Sequence, residues 1–170
     1  EPRPERDRLA PWFSLDCDGQ DSEHRMCQGR EGTIIVWSAQ GTRSSVLLDI
    51  EQDGDLDIVT NEFNTPPQIF LSTLSKQTDV NSLTIQLQGT KSNRDGLGAV
   101  VTVLTNREQQ TLRHDGKSGY LAQSRMPLYV GLGQKDAVEK IIVQWPSGVV
   151  QSIPGPIAAN QQLTIVEKAE

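Results

Sequence analysis

Residues 82–88 read Ser82-Leu83-Thr84-Ile85-Gln86-Leu87-Gln88, with an apolar residue at every second position. A strand turns successive side chains to opposite faces, so Leu83, Ile85 and Leu87 share one face and the polar residues share the other. That is the pattern of a half-buried strand; a helix would place its apolar residues three and four apart. Outward from this segment, β-branched runs recur on both sides. They fall at 33–37, 45–50, 56–60 and 68–71 before it, and at 99–105, 109–113, 128–132, 139–145, 149–153 and 162–166 after it. Turn-forming sequences separate them: NRDG from Asn93, NREQ from Asn106, PSGV from Pro146 and PGP from Pro154. No run of ten residues has helical periodicity. The expected class is all-β, with a sandwich or barrel in the second half of the chain.

A polar break at 72–80 divides the sequence. The expected organisation is a tail and irregular cysteine-containing segment at 1–32, short strands around an acidic loop at 33–75, and a longer β domain at 80–170. The opening EPRPERDR carries no apolar residue and is expected to be a mobile tail or linker, either a mature N-terminus or a cut from a longer chain. Residues 9–32 are expected to be irregular, pinned to a core by Trp12 and Phe13.

Composition narrows the function classes. Sixteen basic residues against 22 acidic ones give a net charge of −6, which argues against a nucleic-acid surface. No apolar run approaches the roughly 20 residues that span a bilayer. Only two cysteines occur, Cys17 and Cys27, with a polar segment between them that is a poor place to bury free thiols. A disulfide is the expected state, and two separate buried thiols the other reading.

The sharpest chemical signal is Asp49-Ile50-Glu51-Gln52-Asp53-Gly54-Asp55-Leu56-Asp57. Acidic residues stand at positions 1, 3, 5, 7 and 9, with Gly54 at position 6 where the backbone must turn. Calcium takes six to eight hard oxygen ligands, so carboxylates recurring every second residue suit it. An EF-hand would need flanking helices and Glu at position 12, but that position is Thr60 and the flanks read as strands. The expectation is a Ca²⁺ loop in a β-hairpin context, with Asp49, Glu51, Asp53, Asp55 and Asp57 as its ligand set. Glu51 reaches the ion through a water, and Asp55 offers its backbone carbonyl and leaves its carboxylate free. A second acidic group, Asp16, Asp18, Asp21 and Glu23, is read as a solvated loop.

Catalysis finds little support. His24 and His114 are the only histidines, and His114 stands beside Asp115 and near Ser118. Adjacent residues on a strand face opposite ways, so a triad is not formed there; an exposed loop is the expected setting. Asn93 to Gly96 is expected to be a tight turn and Trp145 a core residue, while Trp37 belongs either to the core or to an aromatic contact patch. The segment from Gly96 to Val100 lacks the third glycine of a phosphate loop.

Through these segments the chain resembles the C-terminal part of the ASPIC/UnbV family. Segment 46–71, VLLDIEQDGDLDIVTNEFNTPPQIFL, is similar to the VCBS/FG-GAP repeat, a calcium-loop propeller-blade unit. Segment 82–166 resembles the ASPIC/UnbV domain through GTKSNRDGLGAVVTV from Gly89, KSGYLAQS from Lys117, YVGLG from Tyr129 and VQWPSGVVQ from Val143. The resemblance implies that Asp49, Asp53, Asp55 and Asp57 hold calcium; Glu51 departs from the usual Asp. It also implies an extracellular or periplasmic, non-enzymatic module that binds a protein partner, an accessory subunit of a larger surface or membrane-attached assembly that does not itself span the membrane. A propeller needs several blades and one repeat is evident, so a fragment or a shortened relative is expected. Carbohydrate binding by the sandwich is the alternative, although aromatic platforms are scarce.

Overall fold

The computed structural model describes residues 9–39, 41–63, 66–106 and 108–168. They form twelve strands, and the only helix among them is a single 3-10 turn, Arg25–Cys27. The all-β expectation holds. The tail at 1–8 and the side chain of Trp12 lie outside the described residues, as does Arg107 within the NREQ turn. The chain divides into two compact units, Glu1–Ser45 with Val59–Ile69 and Val46–Ile58 with Phe70–Glu170.

In the first unit, β1 (Leu9–Asp16) pairs antiparallel with β2 (Thr33–Ala39), from Leu9 opposite Ala39 to Asp16 opposite Thr33. This corrects the expectation of irregular structure for residues 9–32. Pro11 and the missing alternation hide the strand in the sequence, because its register shifts between Pro11 and Phe13 and an edge strand tolerates the absent N–H. Cys17 and Cys27 form a disulfide across the connecting loop. Leu15 and both half-cystines make a small core, with Phe13, Ile34 and Val36 packed on it. Within the loop, Asp16 N donates to Asp21 Oδ2 and Gly32 N to Asp18 Oδ2, each at 2.8 Å, so these acids brace backbone turns.

A sheet of order β3-β4-β5 comprises β3 (Thr42–Leu48), β4 (Asp57–Glu62) and β5 (Gln68–Phe70), and the boundary between units runs through its strands.

The second unit holds a two-sheet sandwich. Its strands are β6 (Asn81–Gln88), β7 (Val100–Thr105), β8 (Glu108–Arg113), β9 (Leu128–Gly133), β10 (Ala137–Gln144), β11 (Val150–Ala158) and β12 (Gln161–Val166). One sheet has the order β11-β10-β7-β8 and the other β12-β6-β9, with β12 parallel to β6. Leu83, Ile85 and Leu87 of β6 are buried as their alternation requires, against Val101 and Val103 of β7, Ile141 and Val143 of β10, and Trp145. Full burial of a side chain of this size stabilises by roughly 1.5–3 kcal/mol.

The PGP sequence is not a separator. It lies inside β11, which is a sheet edge, where a proline costs no ladder hydrogen bond. The register of β10 against β11 shifts between Val138 and Lys140, and a Cβ on Gly155 would run into the carbonyl oxygens of Val138 and Glu139. Glycine permits the close approach that the bulge demands.

Candidate metal centre

The acidic loop joins β3 to β4 and belongs to the second unit. Two backbone conformations make its turn: Gly54 at φ +90° and, unusually for a residue with a Cβ, Gln52 at φ +59°. Asp49 closes that turn from inside, its Oδ1 accepting from Asp53 N at 3.1 Å and its Oδ2 from Gly54 N at 3.0 Å. Asp57 buckles the two ends together. Its Oδ2 accepts from Ile50 N and its Oδ1 from Ser72 N, both at 2.8 Å. Asp53 accepts from Asp55 N at 3.3 Å and from the Ser75 hydroxyl at 2.6 Å.

Asp55 is the exception to expectation. Its carboxylate is not free: the residue is 3% exposed and Oδ2 accepts from Ser75 N at 2.8 Å. Oδ1 is buried and receives no hydrogen bond, one of two such side-chain atoms among the described residues. The Ser75 N–H holds the carboxyl of Asp55 below its ordinary value; burial opposes this, and the Ser72 and Ser75 hydroxyls and the Leu74 N–H reinforce it. Glu51 points to solvent. The other orphan is Oε2 of Glu62 on β4, whose Oε1 accepts from the hydroxyls of Thr60 and Thr42 at 2.7 Å each. Those two hydroxyls hold its carboxyl below the ordinary range against the opposing effect of burial.

Sequence reasoning missed three contributors. Ser72 and Ser75 sit in the polar break that had read as a mere divider, yet their N–H and hydroxyl groups serve three of the loop's carboxylates. Tyr129 on β9 meets the backbone of Asp49 through its phenol oxygen; burial raises its pKa, that backbone hydrogen bond opposes the rise, and the Asp49 charge adds to it. A polar residue every few positions in 72–80 was the only available signal.

As placed, no three His, Cys, Asp or Glu side chains among the described residues stand close enough to hold a metal ion together. The loop's side chains nonetheless offer oxygen donors, the kind a hard cation takes. None of the three ion pairs among the described residues touches the loop, so its charge is balanced by N–H and hydroxyl dipoles alone. A carboxylate oxygen has two acceptor directions, and one N–H bond leaves the second for a cation. A buried carboxylate oxygen with neither is costly unless something fills the direction it offers.

Elsewhere, His114 is buried, contrary to the exposed loop expected for it. Its N–H donates to Ala99 O at 2.9 Å and its carbonyl accepts from Gly98 N at 2.7 Å, so it anchors the end of β8 in the sandwich. Asp115 instead caps Lys117 N at 3.1 Å. Asn93 forms the expected turn, bonding both ways to Leu97 while Gly96 takes φ +68°. Trp145 is buried as expected and donates Nε1–H to Gln151 Oε1 at 3.2 Å, whereas Trp37 is exposed.

Residues 89–170 match the family model described as ASPIC and UnbV. That part of the chain is therefore similar to the family, over most of the sandwich, and the acidic loop lies outside the match. No curated protein matches the chain significantly.

Proposed function

We propose that this chain is a non-enzymatic, calcium-binding protein-interaction module of an extracellular or periplasmic compartment. Segment 46–71 serves in it as a VCBS-like calcium hairpin, and the chain acts as an accessory subunit of a larger assembly. The observation that carries the calcium reading is the orphaned, buried Oδ1 of Asp55 within a loop of five acids that has no ion-pair partner among the described residues. Asp49, Asp53, Asp55 and Asp57 would hold the ion, and Glu51 would complete its shell through water. Bound calcium would screen the mutual repulsion of the acids and fix the loop against Ser72 and Ser75. The compartment is supported by the Cys17–Cys27 disulfide and by the ASPIC and UnbV match. No helix among the described residues is long and apolar enough to cross a membrane.

Calorimetric titration of chelator-stripped protein with calcium tests this reading, together with thermal melts. A single site is expected, and at a hundredfold excess over its dissociation constant calcium should add about 2.7 kcal/mol of stability. Asp53→Ala should abolish both the binding heat and the calcium-dependent rise in melting temperature, while in chelator it should lower stability only by the loss of the Ser75 hydroxyl and Asp55 N–H bonds. Absence of heat and of a melting shift at millimolar calcium would leave an acidic turn braced by its own backbone.

One observation favours carbohydrate binding as a second reading. A groove of about 510 Å³ runs beside the loop and is lined mainly by polar side chains, among them Gln52, Thr84, Asn160, Gln161 and Gln162. A glycan array with no specific signal in calcium would remove it.

A further inference from the structure

The loop between β8 and β9 ends in two large apolar side chains held away from the protein: Tyr120 is 70% exposed and Leu121 91% exposed. Leu121 also has φ +51°, one of three positive-φ residues other than glycine among the described residues. A branched side chain in that conformation is strained, and such strain persists only where surrounding bonds impose it. Those bonds are present. Lys117 bridges to Gln123, Ser124 N donates to Gly116 O at 2.8 Å, and Ala122 N donates to Gly119 O at 3.4 Å. Beneath them His114 fastens the base to the sandwich. The loop is thus a braced projection, and its KSGYLAQS sequence is not used by the calcium reading.

Charge indicates what the projection meets. Residues 113–126 carry Arg113, Lys117 and Arg125 against Asp115 alone, a local charge of +2 in a chain of −6, which leaves −8 elsewhere. Arg94 and Asp95, the latter paired with Arg125 at 3.2 Å, leave the local sum unchanged. An apolar apex on a loop of net positive charge, in an otherwise acidic protein, suits an anionic surface that yields around a protruding tip. A bilayer does so without a pre-shaped pocket; Tyr settles at the headgroup level and Leu below it. We propose that this loop docks the protein on an anionic membrane, with Tyr120 and Leu121 entering the interface while Arg113, Lys117 and Arg125 meet the lipid phosphates.

Flotation of the full chain with phosphatidylcholine vesicles containing about one third phosphatidylglycerol tests the proposal, in chelator so that calcium cannot bridge acids to lipid. Wild-type protein should float with these vesicles and several-fold less with pure phosphatidylcholine. Tyr120→Ser/Leu121→Ser should lower the partition coefficient by about tenfold, and Lys117→Glu by a similar factor, since each basic residue near such a surface contributes roughly fivefold. All variants should melt with the wild type, because neither apex side chain is buried. Protein that stays unbound, a double variant that floats like the wild type, or equal binding to pure phosphatidylcholine overturns membrane docking. Unbound wild type would leave an apolar pocket on a partner protein as the site that receives the tip. The calcium titration is independent of each of these outcomes.

Discussion

Glu167→Ala is expected to lower the melting temperature of the sandwich unit by roughly 10 °C at neutral pH, and Glu167→Gln to recover little of that loss. Glu167 follows the last residue of β12 and is 2% exposed. Its Oε2 accepts the successive backbone N–H groups of Thr90, Lys91 and Ser92 at 2.8, 2.8 and 2.7 Å. Its Oε1 accepts the hydroxyls of Ser92, at 2.9 Å, and Ser147. The Glu167 N–H donates to Gln88 O, and its carbonyl accepts from the Thr90 hydroxyl. One residue therefore ties the C-terminal strand to the segment after β6 and to the turn after β10. Three consecutive N–H groups converging on a point form an anion-binding concavity, and here the anion is supplied by the chain itself. Alanine leaves every donor unmatched. Glutamine keeps the shape but sets its own NH₂ against donors. An unchanged melting temperature in far-UV circular dichroism would show the clamp to be incidental.

The same contacts set a pH signature. Burial alone would raise the Glu167 carboxyl, but the Ser147 hydroxyl, the N–H groups of Ser92 and Thr90 and the Ser92 hydroxyl outweigh it and bring the pKa to about 2 from an ordinary 4.5. A carboxyl that is more acidic in the folded than in the unfolded state favours folding above the unfolded pKa. The wild-type advantage over Glu167→Gln should be complete above about pH 5 and shrink steadily towards about pH 2, where folded Glu167 itself takes up a proton. Parallel denaturant melts of the two proteins across that range test this, and a difference independent of pH would contradict it.

Much of the fold was legible because burial writes a period of two into the sequence. All eleven anticipated strands exist, and Leu83, Ile85 and Leu87 are buried on the face their spacing gives them. The failures share a cause: the deciding partner is remote or is backbone. The β1 strand is invisible without β2, whose register absorbs the irregularity at Pro11. PGP reads as a turn until the β10 bulge opposite it is seen. Glu167 looks like an ordinary tail acid, since its N–H partners lie 75 to 77 positions earlier. In the acidic loop, alternation identified the acids and the glycine, but the donors from Ser72 and Ser75 arise only when the following segment folds back. That return is what buries Asp55.

Removing the disulfide by Cys17→Ser/Cys27→Ser is expected to unfold the β1–β2 hairpin while leaving the sandwich folded. The bridge closes a loop of sequence separation ten, for which chain entropy gives a stabilisation of about 3 kcal/mol. Packing makes the loss larger than entropy alone. The hairpin's core has three buried side chains, Leu15, Cys17 and Cys27, so the bridge is itself two thirds of it. Serine at both places would put two hydroxyls where sulfur now packs, beside half-buried Phe13, Ile34 and Val36. A unit this small has little other apolar surface to compensate, and Ile35 and Trp37 on the opposite side of β2 already face solvent. Amide hydrogen exchange separates the two units directly. Protection across the β1–β2 pairing should collapse in the double variant, and that of β6, β7 and β10 should persist. Retained protection at Ile34 and Val36 would mean that strand pairing, not the bridge, holds the hairpin, and would weaken the argument from the disulfide to an oxidising compartment.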